Sequence, residues 1–193
     1  MEAGNEAGGN GSGFGRQDPI AFLMATHEAQ LQLCDQLEAI ADSLPGNVDP
    51  LACRRVAIAL RQDVHLHHLD EEEGLFPLMR GHAPEDAALI DMIRRLESEH
   101  ASDEGFSDEL TELLERLSRG EQPHDQEAAG YMLRGFFESF RRHLSFENDV
   151  ILPRASAMLT QAERDGLMEI IRRNRLAAPL PLFPDPAGGP SRH

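Results

Sequence analysis

Two short motifs in this 193-residue chain set an imidazole and a carboxylate one helical turn apart: His67-x-x-x-Glu71 and His143-x-x-x-Glu147. Residues four apart are neighbours on a helix surface, so each pair can offer a ring nitrogen and carboxylate oxygens to the same point. The motifs belong to a longer repeat. His67-x-x-x-Glu71-x-x-x-x-Phe76-Pro77 returns 76 residues later as His143-x-x-x-Glu147-x-x-x-x-Leu152-Pro153. His27 and His100 stand on apolar helical stripes of their own. One histidine on such a stripe is ordinarily a hydrogen-bonded core residue. Four, with two glutamates, are the donor types that bind iron, zinc or manganese, provided they meet at one height.

The elements that must bring them together read as helices. Apolar residues recur at three- and four-residue spacing over residues 19–44, 50–80, 84–120 and 124–153, with no sustained alternation. Asp18-Pro19 and Asp49-Pro50 open the first two as N-cap and N1, Gly120 stops the third, and Thr160-x-x-Glu163 is a capping box that opens a shorter fifth. Short connections make neighbouring helices antiparallel. The expected fold is all-α, an up-down-up-down four-helix bundle with a short fifth C-terminal helix.

Levels in such a bundle follow from counting to the shared loop. His27 is 17 residues before Leu44 and His67 is 17 after Pro50; His100 is 19 before Arg119 and His143 is 19 after His124. Across the middle connection the counts are 13 to Arg80 and 16 from Pro84, a mismatch of about one turn. The four histidines therefore share a layer, and Glu71 and Glu147 join it. Within His65-Leu66-His67-His68-Leu69-Asp70-Glu71-Glu72-Glu73, the register through His67 and Glu71 matches the second repeat, whereas His68 and Glu72 would align with Arg61. His65, His68, Asp70, Glu72 and Glu73 are then expected on a mostly solvated face. Pro77 and Pro153 are expected to end or kink their helices just past the site, and Cys34 and Cys53 to pack in the core.

Composition closes off several classes. With 18 basic against 34 acidic residues the net charge is −16, which argues against nucleic-acid or anionic-membrane partners, since both need basic surface. Two cysteines are too few for a disulfide scaffold and suggest a reducing, cytoplasmic setting. No stretch approaches the apolar length of a membrane span. Residues 1–17 read as a flexible glycine-rich leader without a signal peptide's hydrophobic region. Residues 18–176 form the domain, and 177–193 a disordered tail carrying five prolines.

Burying four imidazoles and two carboxylates is costly unless something satisfies them. One tetrahedral ion would leave the glutamates unexplained. Two ions use all six residues, two histidines to each and both glutamates bridging. With an oxo or hydroxo bridge, two positions stay open, enough for a small diatomic. Two carboxylates and an oxo group set four negative charges against the six positive of a diferric pair.

With these residues on the page, the chain resembles the hemerythrin-like, or HHE cation-binding, domains. The resemblance rests on His27, on His67-x-x-x-Glu71 before Leu75-Phe76-Pro77, on His100, and on His143-x-x-x-Glu147 before Ile151-Leu152-Pro153. It implies two iron ions with an oxo or hydroxo bridge, and a small ligand: O₂, NO or peroxide. Oxygen-carrying hemerythrins place a second histidine one turn after that of the third helix, where this chain has Glu104. Their last carboxylate also follows its histidine by five residues, where Glu147 follows His143 by four. The four-His, two-Glu set looks more like the branch linked to repair of nitrosylated or oxidised iron–sulfur centres. Glu104 is a further candidate that would close a coordination position, hydrogen-bond a bound ligand or face water. The expected role is metal and gas binding in sensing, delivery or stress protection, rather than dedicated catalysis. Ferritin-like iron storage is the weaker metal reading, because only Glu97-Ser98-Glu99-His100 supplies its Glu-x-x-His motif. A helical interaction module with incidental histidines is the reading of another class.

Overall fold

The computed structural model describes residues 18–177. Within them the chain is all-α, an up-down-up-down four-helix bundle with a shorter fifth helix, and no strand is present among the described residues. Helix α1 is Pro19–Ser43, α2 spans residues 50–82, α3 is Ala87–Ser118, α4 spans residues 126–158 and α5 is Gln161–Ala177. The leader expected at residues 1–17 lies outside the described residues, as does the tail beyond Ala177.

The helix starts are set by side-chain caps. Asp49 accepts from the Leu51 N–H (2.9 Å), Asp86 from Leu89 (3.0 Å) and Asp125 from Ala128 (2.9 Å). Each satisfies one of the N–H groups a helix leaves unpaired. The Asp86 cap is why α3 begins at Ala87 rather than at Pro84. The capping box forms as expected, with the Thr160 N–H donating to Glu163 (2.9 Å) and the Glu163 N–H to Thr160 Oγ1 (3.4 Å). Asp18 precedes α1 but makes no side-chain cap; its carboxylate receives Arg164 of α5 instead (2.8 Å).

Of the two outcomes expected at Pro77 and Pro153, an end or a kink, the end does not occur. A π-helical turn, Glu71–Leu75 or Glu147–Ile151, precedes each, and the helix then runs on to His82 or Met158. In both turns the bond skips to five residues: Phe76 N–H to the Glu71 carbonyl, Leu152 N–H to the Glu147 carbonyl. A proline's missing N–H and its clash with the carbonyl four residues back are absorbed by this wider register. A third π turn, Leu60–Val64, has its first carbonyl taken by Ser107 Oγ (3.2 Å).

The core is in two parts. Leu33, Leu37, Val56, Leu60, Leu110, Leu114, Phe136 and Phe140 fill one end of the bundle. Leu23, Phe76, Met79, Ile93, Leu96, Ile151 and Leu152 fill the other, closed by Leu167 and Ile171 of α5. Between the two lies a polar layer.

Helix α5 packs across the outside of α2, and so buries a face that would otherwise be wet. At Gly74 a Cβ would stand 2.5 Å from Leu167 Cδ1, so a larger residue would require the Leu167 side chain to move. Asp70, expected on a solvated face, is fully buried there. It accepts from Asn174 Nδ2 (3.0 Å) and Arg175 Nη1 (2.5 Å), and the Arg175 guanidinium lies over the Phe22 ring at 4.5 Å. Burial pushes the Asp70 carboxyl up to about 6 against the pull of Arg175, so it is ionised at neutral pH. Removing one partner of a buried pair strands the other. Asp70→Ala is therefore expected to lower stability to urea at pH 7 by about 3 kcal/mol, whereas a change within 0.5 kcal/mol would show that α5 docks by apolar contact alone.

Candidate metal centre

The polar layer consists of His27 from α1, His67 and Glu71 from α2, His100 from α3, and His143 and Glu147 from α4. All six are buried, with Glu71, Glu147 and His27 wholly inaccessible. The i, i+4 geometry works in both repeats. His67 Nε2 stands 3.6 Å from Glu71 Oε2, and His143 Nε2 stands 3.0 Å from Glu147 Oε1. Across helices, Glu147 presents one oxygen to each side. Its Oε2 lies 3.5 Å from His27 Nε2 and 3.4 Å from His67 Nε2, and its Oε1 lies 3.7 Å from His100 Nε2. Glu71 Oε2 is also 3.4 Å from His100 Nε2, and its Oε1 is 4.0 Å from His27 Nε2.

Those six residues divide into two four-residue groups able to hold an ion: His27, His67, Glu71 and Glu147, and Glu71, His100, His143 and Glu147. Both glutamates belong to both groups. Bonds of about 2.1 Å set neighbouring donors about 3 Å apart in an octahedron, slightly tighter than the spacings found. The four Nε2 atoms and the four carboxylate oxygens have no hydrogen-bond partner. Eight unsatisfied polar atoms in one dry layer are an arrangement that a cation completes and little else would.

The outer ring nitrogens are fixed. His27 Nδ1–H donates to Asn148 Oδ1 (2.7 Å), His100 Nδ1–H to Glu72 Oε1 (2.8 Å) and His143 Nδ1–H to Glu99 Oε2 (3.2 Å). Each bond places the proton on Nδ1 and the lone pair of Nε2 toward the centre, as ligating histidines require. Phe76 stacks on His100 (5.7 Å between centroids) and Phe140 on His143 (5.9 Å), which locks the rings from behind. Sequence patterning did not single out Glu72, Glu99 and Asn148 for this role. The signal was their placement one residue from a candidate ligand.

Electrostatics of the metal-free layer show the same pressure. Burial holds His27 and His67 below the ordinary histidine value. His100 and His143 are also disfavoured by burial, yet the nearby carboxylates outweigh it and lift them to about 10 and about 9. Glu71 is pushed well up by burial and by the neighbouring Glu147. Glu147 is held well down, because the proximity of His100, His143 and His67 overcomes its burial. A cation would take the place of the protons on these imidazoles.

One expectation needs correcting. His68 is not on a solvated face: it is 1% exposed, with its ring stacked on His100 at 4.0 Å and 11°. Glu104 is not brought into the eight-atom cluster. It is half-buried, bonded to His65 Nδ1 (2.8 Å), with the same oxygen 3.7 Å from His68 Nδ1. His82 ends α2 and bonds Glu163 (2.8 Å) far from the layer, and Tyr131 is exposed.

A family model described as the hemerythrin HHE cation binding domain matches residues 18–155. Comparison with curated proteins and with solved structures finds no match.

Burial lowers His68 from 6.5 to about 4. Between these values the unfolded chain takes up a proton that the folded chain refuses, so stability falls with pH across that window, by about 3 kcal/mol. His68→Gln, which cannot titrate, is expected to flatten the urea stability of the metal-free protein between pH 6.5 and 4. An unchanged slope would mean that His68 charges while folded.

Proposed function

The chain belongs to the hemerythrin HHE cation-binding domain family, and from that premise we propose a di-iron protein that binds O₂, NO or peroxide in sensing, delivery or stress protection. The observation that carries it is the pairing of eight orphaned donor atoms into two groups that share both glutamates. His27 and His67 would hold one ion and His100 and His143 the other, with Glu71 and Glu147 available to both. A mixed imidazole and carboxylate set suits iron better than a thiolate or an all-oxygen site would. Such a pair, with an oxo or hydroxo bridge, supplies reversible electron donation to a small ligand.

The chain's own residues supply the rest. Asn148, Glu72 and Glu99 hold three imidazoles in the tautomer that can ligate. The two apolar ends of the bundle exclude bulk water from the layer. Glu104 stays outside the ligand set, on the approach beside His65. The reading is of a binding protein in a cytoplasmic, reducing setting, consistent with Cys34 and Cys53 as free, buried thiols. No described helix is long and apolar enough to cross a membrane.

Metal analysis with the visible spectrum before and after O₂ tests this directly. Two irons per chain and an oxo-bridge absorption are expected; a single tightly bound zinc with neither would sink the reading. His143→Ala is expected to lose most of the bound iron and His82→Ala none, and equal losses would show that the ligand set is wrong. Glu72→Gln keeps all six ligands and is expected to weaken iron affinity about tenfold or more, read by competition with a chelator.

A further inference from the structure

Once the eight donor atoms and their outer bonds are accounted for, His68 is left over. Both of its ring nitrogens are buried without a hydrogen bond, an arrangement that costs free energy with nothing in the chain to offset it. Its position is not that of a core filler. One ring nitrogen lies within 4.8 Å of ring nitrogens of His67 and His143, and the ring stands edge-on to Phe140 at 6.3 Å. On its Nδ1 side Glu104 Oε1 stands at 3.7 Å, beyond hydrogen-bonding range and engaged at 2.8 Å by His65. The outer carboxylate is at ion-pair distance from Nδ1 but makes no hydrogen bond to it.

An ion shared by His68 and His100 does not fit the ring planes. An ion on the His100 lone pair lies in the plane of the His100 ring. His68 is parallel to that ring within 11° and 4.0 Å away, so its own lone pairs lie in a separate plane. What His68 faces is the space between His67 and His143, alongside the stacked His100 ring. A small molecule bound there would meet an imidazole whose nitrogens make no hydrogen bond within the chain.

We propose that His68 hydrogen-bonds the exogenous small ligand taken up beside His100 and His143, with the ligand acting as acceptor. The class is a small, electron-rich molecule or anion with a free acceptor atom, such as a peroxide. This rests on the two-ion reading above and deepens it. Three features hold the donor: stacking on His100, the Phe140 edge, and Glu104 backed by His65. Hydrogen bonds to charged partners in a dry site are among the stronger ones, so their loss should be visible in affinity.

The test is azide binding to the iron-loaded full chain, by titration of the visible absorption, with iron counted in each sample. Wild type, His68→Phe and His68→Gln are expected to hold two irons each. His68→Phe should weaken azide about tenfold or more, while His68→Gln, whose amide can still donate, should stay within about threefold. Three results would overturn the proposal. Equal azide affinity in all three proteins would make His68 packing alone. Loss of one iron in His68→Phe would make it a ligand. Equal weakening in both variants would make the effect structural. Wild-type protein that holds two irons yet takes no azide overturns this inference and the open-site reading together, whereas wild-type binding with His68→Phe unchanged overturns this inference only.

Discussion

Two glutamates and four histidines sit at the mid-height of a bundle whose two ends are apolar, and the cost of keeping them there shapes the molecule around them. A carboxylate pair in a medium of low dielectric repels itself strongly, and in the metal-free chain the raised affinity of His100 and His143 for protons offsets it. Burial of this kind persists only if the side chains are held, because a helix that slid or rotated would turn the carboxylates toward water. Leu33 to Phe140 on one side and Phe76 to Leu152 on the other resist that motion. The caps at Asp49, Asp86 and Asp125 fix where three helices begin, and hence the height at which each histidine arrives. The layer also reads as a strain placed in advance, since a cation satisfies at once what the chain leaves unsatisfied.

The 76-residue repeat carries more than its ligands. In both copies the π turn begins at the glutamate itself and ends one residue before the residue that precedes the proline. The proline therefore acts backwards along the helix. By denying an N–H it favours the five-residue bond, and that bond starts at the carbonyl of the residue whose side chain enters the layer. A helix carried through in α register would lack this widening. Pro77 and Pro153 thus belong to the construction of the site although neither touches it, and the helix accommodates each proline by a wider turn instead of stopping.

The six residues of the layer were legible because bundle geometry turns spacing into position. Antiparallel helices with short loops leave one unknown, the height, and loop counts supply it. What stayed hidden was the second buried face of α2. A stripe analysis assumes one face in and one face out, which places His68 and Asp70 in water. Yet α5 covers the outside of α2, taking in Asp70 through Asn174 and Arg175 and pressing on Gly74. With both sides covered, His68 has only the flank against His100 left to it. The outer partners were hidden for another reason. Glu72, Glu99 and Asn148 look like ordinary surface polar residues until the ring nitrogen each one meets is known.

Those partners also make the two halves of the layer chemically unequal. On the His100–His143 side both imidazoles donate to carboxylates, Glu72 and Glu99. On the other side His27 donates to a neutral amide and His67 Nδ1 has no partner. A carboxylate on the outer nitrogen makes the inner one a stronger base and a better electron donor. Stronger donation favours the more highly charged state of whatever cation is held there, so the pair His100–His143 is the half suited to give up electron density to an incoming ligand. His68 stacks on His100 of that half, with a ring nitrogen also near His67 of the other. The bundle's near-symmetric repeat supplies two matched ligand sets, and the residues beside them break the match on the side where a bound molecule would find a hydrogen bond.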